Sequence, residues 1–387
     1  MLATKSNPAA SMKAVSKKPT LKAKPLVLIP GFAGSKLVSA KAPNSAKNEF
    51  VNLQYSHDDE WSKRITCTTS KQVVPHDFGG VDGIRNLCST CESVDWYIEK
   101  VFKTRVIDKA VNYKYYGDMI DMFEDRGYTT GVDLVGAPYD FRVIAMENDR
   151  AEFYESLKQV IEETVDTTGK PAVIVSHSIG CILFYVFLTD YVDSEWKKKH
   201  IDTFVSVAGP YGGCSMALKT VVSGISFPEF LKERYQKVFE NCHGLALAMP
   251  NNLSYGKDEV IMVDSSTGTR YNVHNYDQLL PENMRATWSS VQNQVSSFFK
   301  NTEVTTKFVV SLDMPTEYQY VYDNLRKEPT KVRKVRGDNV IHQDSLMFHR
   351  KNNVMYSNYD VVELRNQEHT KILQSTELFN LVHSICT

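Results

Sequence analysis

The sequence lacks long hydrophobic runs. It contains no uninterrupted apolar stretch of the roughly 18 to 20 residues that a membrane-spanning helix needs. Its amino-terminal segment also lacks the apolar core of a secretory signal. These two absences predict a protein that is neither secreted nor embedded in a membrane. We therefore expect a cytoplasmic location, with attachment to a membrane surface left open.

Acidic residues and arginine are both absent from the first 24 residues. The segment carries lysines among alanine, serine and proline and has little apolar surface to bury, so residues 1–24 are predicted to form a disordered, Lys-rich tail. A transit peptide is the alternative, although such segments normally use arginine. The whole chain is 42% hydrophobic, and residues 25–387 are expected to form the folded domain.

Net charge and cysteine usage exclude further classes of function. Lys and Arg together number 45 against 46 Asp and Glu, so no general attraction to nucleic acid is expected. The seven cysteines include one C-x-x-C pair, Cys88 and Cys91, which could bind zinc together with Cys67 and His76. A single pair without a second one is a weak zinc pattern. No metal and no other cofactor are predicted.

Short apolar runs alternate with helical patterns along the folded part of the chain. Alternation of this kind predicts an α/β fold with a mostly parallel central sheet and helices on both faces. Two stretches interrupt it: residues 40–100 are polar and aperiodic, and residues 210–300 are rich in turn formers, so both are predicted to be insertions, the second cap-like. The strand candidates are residues 25–30, 171–175, 203–208, 307–312 and 360–364.

The pentapeptide Ser176-His177-Ser178-Ile179-Gly180 is a variant of the G-x-S-x-G nucleophile elbow. This motif needs small flanking residues, because its serine lies in a strained turn between a strand and a helix. Here a buried-strand run precedes the motif and an apolar helical run follows it, which is the context that an elbow requires. Ser178 is therefore the predicted nucleophile, and a structural turn with an inert serine is the alternative.

A nucleophilic serine needs a histidine base and a carboxylate that orients the imidazole. In the fold that carries the elbow, these follow the serine in the order acid, then histidine. His369 is favoured over His383 because it follows a strand-like run, which places it on a loop at the carboxyl edge of the sheet. Asp338 is the leading acid, and on spacing alone Asp344 and Asp323 remain rivals.

Two backbone N–H groups are expected to form an oxyanion hole. One comes from the residue after the nucleophile and the other from an early strand-to-helix loop. The first donor is predicted to be the N–H of Ile179. The second is predicted to be the N–H of Phe32, which lies in the glycine-rich loop 30–34 after the first strand. An ordinary turn is the alternative reading of that loop.

Several blocks of the sequence resemble the lecithin:cholesterol acyltransferase family, which includes lysosomal phospholipase A. They run from about residue 25 to residue 385 in the same order as in that family. The resemblance implies an α/β-hydrolase fold and places the family's catalytic aspartate and histidine on Asp338 and His369. The blocks are PLVLIPGFAGSKL at 25–37, GAPYDFR at 136–142, the elbow with its flanks at 169–187, VAGPYGG at 207–213, GDNV at 337–340 and EH at 368–369.

The chain also departs from the family pattern. Ser176 stands where the family's elbow begins with glycine, and the threonine of the G-D-x-T-V block is missing after Asp338. Cys67 resembles the second cysteine of a lid disulfide, yet no cysteine precedes it, and Phe308 stands where a second disulfide would begin. The resemblance thus implies a lid over about residues 40–100 without its bridge, which agrees with a reducing compartment.

The resemblance implies a lipid acyl hydrolase or O-acyltransferase. Ser178 would attack an acyl ester of a glycerophospholipid drawn from a membrane surface, and the acyl group would pass to water, as in a phospholipase A, or to an alcohol such as a sterol. The alternatives are an esterase or lipase for neutral lipid and a non-catalytic lipid-binding protein of the same fold.

Overall fold

The computed structural model of the protein describes residues 23–41, 73–85, 115–224, 232–352 and 358–387. Residues 1–22 of the predicted tail lie outside these ranges, and so does most of the predicted lid-like insertion at 40–100. No helix in the described ranges is long and apolar enough to cross a membrane.

Three sheets make up the strand structure of the described chain, with six, four and two strands. The strands, in chain order, are β1 (Leu26–Ile29), β2 (Leu37–Ser39), β3 (Val73–Pro75), β4 (Leu134–Gly136), β5 (Ala172–His177), β6 (Ile201–Val207), β7 (Met262–Asp264), β8 (Thr269–Tyr271), β9 (Thr305–Val310), β10 (Met314–Tyr322), β11 (Lys331–Gly337) and β12 (Tyr359–Glu363). The six-stranded sheet has the order β12-β9-β6-β5-β1-β4, the four-stranded sheet has the order β11-β10-β7-β8, and β2 pairs with β3.

Every strand pair of the six-stranded sheet is parallel. β1 and β5 are buried along their whole length, as expected for parallel strands covered on both faces. The prediction of a mostly parallel α/β sheet is confirmed, and all five strand candidates are strands of this sheet. The sequence pattern missed β4, because three residues are too short to show a periodicity.

The second sheet combines strands from two parts of the chain. β7 and β8 come from the predicted cap-like region at 210–300, and they join β10 and β11, which follow it in sequence. Along β10 the residues alternate between buried and more exposed positions, the pattern of a strand with one face against the core. Asp338 follows directly after β11, so this second sheet carries one of the predicted site residues.

Helices separate most strands of the central sheet. One helix runs from Gly117 to Asp125, and the apolar run after the elbow forms a helix, Ile179–Val186, that continues into one π-helical turn, Phe187–Tyr191. The helices, in chain order, are α1 (Asp82–Arg85), α2 (Gly117–Asp125), α3 (Glu147–Thr168), α4 (Ile179–Val186), α5 (Ser194–His200), α6 (Ser215–Ser223), α7 (Lys232–Phe239), α8 (Glu282–Asn293), α9 (Gln343–Leu346), α10 (Phe348–Lys351) and α11 (Thr376–Cys386), with 3₁₀ turns at His243–Ala248, Tyr276–Leu279, Gln294–Phe299 and Lys371–Gln374.

An aromatic cluster around Phe308 on β9 anchors one side of the central sheet. The Phe308 ring stacks on His349 at 5.0 Å and meets Tyr211, Phe348 and Tyr359 edge-on at 5.6 to 5.9 Å. Phe308 is 3% exposed. Aromatic pairs at these distances add to the free energy gained from burial.

Phe308→Ala is expected to lower the free energy of unfolding by about 3 to 5 kcal/mol, because it leaves a cavity inside this cluster. Phe299→Ala removes the same side chain at a position that is 46% exposed, and it should cost well under half as much. Urea unfolding followed by circular dichroism measures both. Equal losses for the two variants would contradict a core centred on Phe308.

Candidate active site

Ser178 lies in the sharp turn between β5 and α4. Its backbone has φ 53° and ψ −129°, a conformation that residues with a Cβ rarely adopt. The Ser178 N–H donates to the Val207 carbonyl at 3.0 Å, and the Cys181 N–H donates to the Ser178 carbonyl at 2.9 Å. The turn therefore has the strained strand-to-helix geometry of a nucleophile elbow.

Two glycines allow the elbow to pack against the end of β1. A Cβ at Gly180 would lie 2.3 Å from the Pro30 carbonyl oxygen, and a Cβ at Gly31 would lie 2.6 Å from the Ser178 Cβ. Ser176, which replaces the first glycine of the motif, is fully buried, and its hydroxyl has no hydrogen-bond partner among the described residues. The small side chain is accommodated there without a polar contact of its own.

The structure brings Ser178, His369 and Asp338 together. His369 Nε2 lies 3.0 Å from Ser178 Oγ, and His369 Nδ1 lies 2.7 Å from Asp338 Oδ2. Asp338 is fully buried, and its other carboxylate oxygen accepts the N–H groups of Val340 (3.0 Å) and Ile341 (2.6 Å). These donors fix the orientation of the carboxyl group toward the imidazole.

The rival candidates have other partners. Asp344 forms an ion pair with Lys351 at 2.8 Å, and Asp323 accepts a hydrogen bond from a serine hydroxyl. The His383 ring stacks on Phe123 with the ring centroids 6.3 Å apart. Since none of the three is hydrogen-bonded to Ser178 or His369 in the described chain, the local arrangement separates the candidates that spacing left open.

The two predicted oxyanion donors belong to residues next to Ser178 or to the loop that approaches it. Ile179 is the first residue of α4, and Phe32 belongs to the loop whose Gly31 approaches Ser178. In the part of the chain that the structure describes, neither N–H group donates to a protein acceptor. Both are therefore available to an oxygen atom outside the protein, and their role in an oxyanion hole stays a prediction.

A second buried histidine contacts the site. His177 Nε2 lies 2.8 Å from the His369 carbonyl oxygen, and His177 Nδ1 is hydrogen-bonded to the Tyr115 hydroxyl, which also accepts the Gly31 N–H at 2.8 Å. Burial, followed by the neighbouring His369, holds the pKa of His177 well below its ordinary value of 6.5. Sequence reasoning missed both residues, since Tyr115 lies 62 positions from its partner.

The described cysteines are buried, free thiols. Burial raises the pKa of Cys181, next to the elbow, to about 12, so its thiol stays protonated and is a poor nucleophile. Within the described ranges, no group of three or more His, Cys, Asp or Glu residues is placed to hold a metal ion. The three cysteines among the candidate zinc ligands, Cys67, Cys88 and Cys91, lie outside those ranges.

The parallel sheet and the strained turn after β5 define the class of the protein: it has the α/β-hydrolase fold. A chain of the Tle4-Tli4 complex shares this fold, with a TM-score of 0.56, 12% identity and coverage of 94% of this chain and 98% of that one. The protein belongs to the lecithin:cholesterol acyltransferase family, whose family model matches residues 82–337. The match includes Ser178 and ends one residue before Asp338.

Characterised relatives match parts of the chain. Lysosomal phospholipase A and acyltransferase of Canis lupus familiaris is 30% identical over 189 residues, 47% of this chain and 45% of the relative. The Bos taurus protein of the same name is 24% identical over 68% of this chain and 65% of its own length. Phosphatidylcholine-sterol acyltransferase of Mus musculus is 25% identical over 52% and 47%. The matched part thus covers less than two thirds of each relative.

Gly31→Ala is expected to slow the reaction of Ser178 with a fluorophosphonate probe at least about tenfold, because the added methyl would displace the nucleophile or the loop. Gly256→Ala is the matched control, since the nearest atom to its Cβ would be 3.7 Å away. Labelling rates of the folded variants provide the measurement. An unchanged rate for Gly31→Ala would show that the loop does not constrain Ser178.

Proposed function

We propose that this protein is a serine-dependent acyl-transfer enzyme that acts on lipid esters. The observation that carries the proposal is the continuous contact from Ser178 Oγ to His369 Nε2 at 3.0 Å and from His369 Nδ1 to Asp338 Oδ2 at 2.7 Å. A serine hydroxyl alone is a poor nucleophile, and an imidazole base oriented by a carboxylate activates it.

The geometry supports acylation of Ser178 in two proton transfers. Ser178 Oγ attacks the ester carbonyl carbon while His369 Nε2 takes the hydroxyl proton, and Asp338 stabilises the resulting imidazolium. The N–H groups of Phe32 and Ile179 would bind the oxygen that becomes negative in the tetrahedral intermediate. When the intermediate collapses, the carbon–oxygen bond to the leaving alcohol breaks, and His369 returns the proton to that alcohol.

The same acyl-enzyme has two outcomes. If His369 removes a proton from water, the attack on the acyl carbonyl releases a fatty acid, and the net reaction is that of a phospholipase A. If His369 activates an alcohol such as a sterol, the product is an ester of that alcohol, and the net reaction is O-acyl transfer. Both outcomes restore Ser178 and neutral His369, so one site serves both reactions.

The relatives support a glycerophospholipid as the acyl donor. Their names describe a lysosomal phospholipase A and acyltransferase and a phosphatidylcholine-sterol acyltransferase. Both activities fit the proposed intermediate, and the second adds a sterol acceptor. Esterase activity on neutral lipid is the competing enzymatic function, because the catalytic contacts are the same. A non-catalytic lipid-binding role would leave the contacts among Ser178, His369 and Asp338 without a use.

Incubation of the purified protein with phosphatidylcholine vesicles, with and without cholesterol, tests the proposal. We expect lysolipid together with fatty acid or sterol ester, and Ser178→Ala should reduce these products about 10⁴-fold or more. Ser176→Ala is the matched control, since it removes a buried hydroxyl that has no hydrogen-bond partner in the described chain. Products that persist in Ser178→Ala would contradict the proposal, and cleavage of triacylglycerol without cleavage of phosphatidylcholine would contradict a glycerophospholipid as the acyl donor.

We further propose that the protein draws its substrate from the surface of a membrane. The edge strand β11 carries Lys331, Arg333, Lys334 and Arg336, all exposed, and it leads directly to Asp338. The first three form no ion pair with any described residue, and Arg333 lies over the Tyr318 ring at 5.7 Å. Basic side chains of this kind are attracted to anionic lipid headgroups.

Lys331→Gln combined with Lys334→Gln is expected to weaken binding to vesicles that contain phosphatidylserine by about 1 kcal/mol per lysine, and added salt should reduce the difference. Lys198→Gln combined with Lys199→Gln is the matched control, because it removes the same charge from α5. This helix leads into the amino end of β6, whereas Ser178 follows the carboxyl end of the parallel strand β5, at the opposite edge of the sheet. Vesicle co-sedimentation measures both variants. Equal losses would show a general charge effect rather than docking at β11.

We also propose that the protein works in a reducing, cytoplasmic compartment. The buried free thiols of Cys181, Cys214, Cys242 and Cys386 support this location, because free cysteines are usual where glutathione keeps thiols reduced. Cell fractionation tests it, and recovery of the protein in a lysosomal or secreted fraction would contradict it.

A further inference from the structure

A chain of hydrogen bonds connects the proposed oxyanion loop to the catalytic histidine without passing through Ser178. The Gly31 N–H donates to the Tyr115 hydroxyl oxygen at 2.8 Å, the Tyr115 hydroxyl contacts His177 Nδ1, and His177 Nε2 contacts the His369 carbonyl at 2.8 Å. All four residues are buried. The two ends of this chain are the neighbour of Phe32 and the proposed general base.

The direction of each hydrogen bond follows from its acceptors. A carbonyl oxygen only accepts, so His177 Nε2 carries the hydrogen that it donates to His369. In neutral imidazole the other nitrogen is then an acceptor, and Tyr115 donates its hydroxyl hydrogen to Nδ1. The Tyr115 oxygen remains free to accept the Gly31 N–H. Each donor in this series of hydrogen bonds thus has an acceptor when His177 is in its Nε2–H tautomer.

We propose that Tyr115 and His177 are positioning residues for the acyl-transfer reaction: together they hold the oxyanion loop and His369 in fixed places around Ser178. The inference rests on the proposed function, because the two ends of the hydrogen-bonded series, the oxyanion loop and His369, are groups of the proposed active site. Neither residue touches the reacting atoms in this assignment. Both act through the groups that they hold.

The Tyr115 ring also packs closely against the oxyanion loop. A Cβ at Gly34 would lie 2.9 Å from the Tyr115 ring, so the ring lies directly against the backbone of the loop. The Gly34 N–H also donates to the Gly31 carbonyl at 3.0 Å, which closes the turn that contains Phe32. Tyr115 thus fixes both ends of the turn. A displacement of about 1 Å in a reacting group can cost a hundredfold in rate.

The charge state of His177 also suits the reaction. The rings of His177 and His369 lie 4.8 Å apart between centroids. A positive charge on His177 would oppose the imidazolium that forms on His369 during attack. Burial and the neighbouring His369 keep the pKa of His177 well below 6.5, so His177 remains neutral while His369 accepts the proton.

Tyr115→Phe tests the inference with a matched control in the next residue. The Tyr116 hydroxyl is also buried, but it donates to the Ile29 and Val175 carbonyls at 3.1 and 3.4 Å, on strands β1 and β5. Tyr116→Phe therefore removes the same group from the same helix start without breaking the chain to His177. Thermal unfolding of both full-length variants measures any general loss of stability.

With p-nitrophenyl butyrate as a soluble ester, Tyr115→Phe is expected to lower kcat about 10- to 100-fold with KM nearly unchanged, and to slow fluorophosphonate labelling by a similar factor. Tyr116→Phe should keep both rates within about twofold of those of the unsubstituted protein. Its Tm should fall by about as much as the Tm of Tyr115→Phe. The same fall in kcat for both variants, or an unchanged kcat for Tyr115→Phe, would overturn the inference.

Imidazole ¹⁵N NMR provides a readout that does not depend on turnover. We expect His177 in its Nε2–H tautomer, and we expect Tyr115→Phe, but not Tyr116→Phe, to change the ring signals of both His177 and His369. Unchanged His369 signals in Tyr115→Phe would refute the inference even if the protein were inactive on every ester. Inactivity of the unsubstituted protein, with the expected NMR changes present, would instead refute the proposed function alone.

Discussion

The position of β5 between β1 and β6 is the constraint on which the site depends. β5 ends in a turn whose Ser178 has a positive φ, and strain of this kind costs roughly 1 to 3 kcal/mol. Both neighbours compensate for it: the end of β6 accepts the Ser178 N–H, and the end of β1 with its following loop lies against Ser178 and Gly180. A nucleophile elbow therefore requires the parallel sheet as much as its own five residues.

The proposed nucleophile and the proposed acid follow strands of different sheets. Ser178 follows a strand of the six-stranded sheet, and Asp338 follows β11 of the four-stranded sheet. His369 contacts both residues: its backbone N–H donates to the backbone carbonyl of Asp338 at 2.7 Å, and its ring nitrogen Nε2 lies 3.0 Å from Ser178 Oγ. The relative placement of the two sheets thus sets the distance between Ser178 and Asp338. The hydrogen bonds from Tyr115 to His177 and on to His369 add a third support, from the start of α2.

The sequence alone predicted the parallel sheet and the elbow, because both depend on local patterns. A buried parallel strand is a continuous apolar run, and a strained turn needs small neighbours such as Gly180. The four-stranded sheet was not predicted, since β7 and β8 have only three residues each, and β7 joins the sheet through β10, which lies more than 40 residues further along the chain. Asp338 was one of three acids until the resemblance to a family selected it.

What the sequence by itself determined was the class of fold, the elbow serine and the order of serine, acid and histidine, since each is encoded within a few neighbouring residues or in the sequence of blocks. Only the tertiary structure decided the distances between these groups and which further residues contact them. Ser178 and His369 are 191 positions apart, and Tyr115 and His177 are 62 positions apart. Contacts over such separations arise from strand order and packing, which no local pattern of residues records.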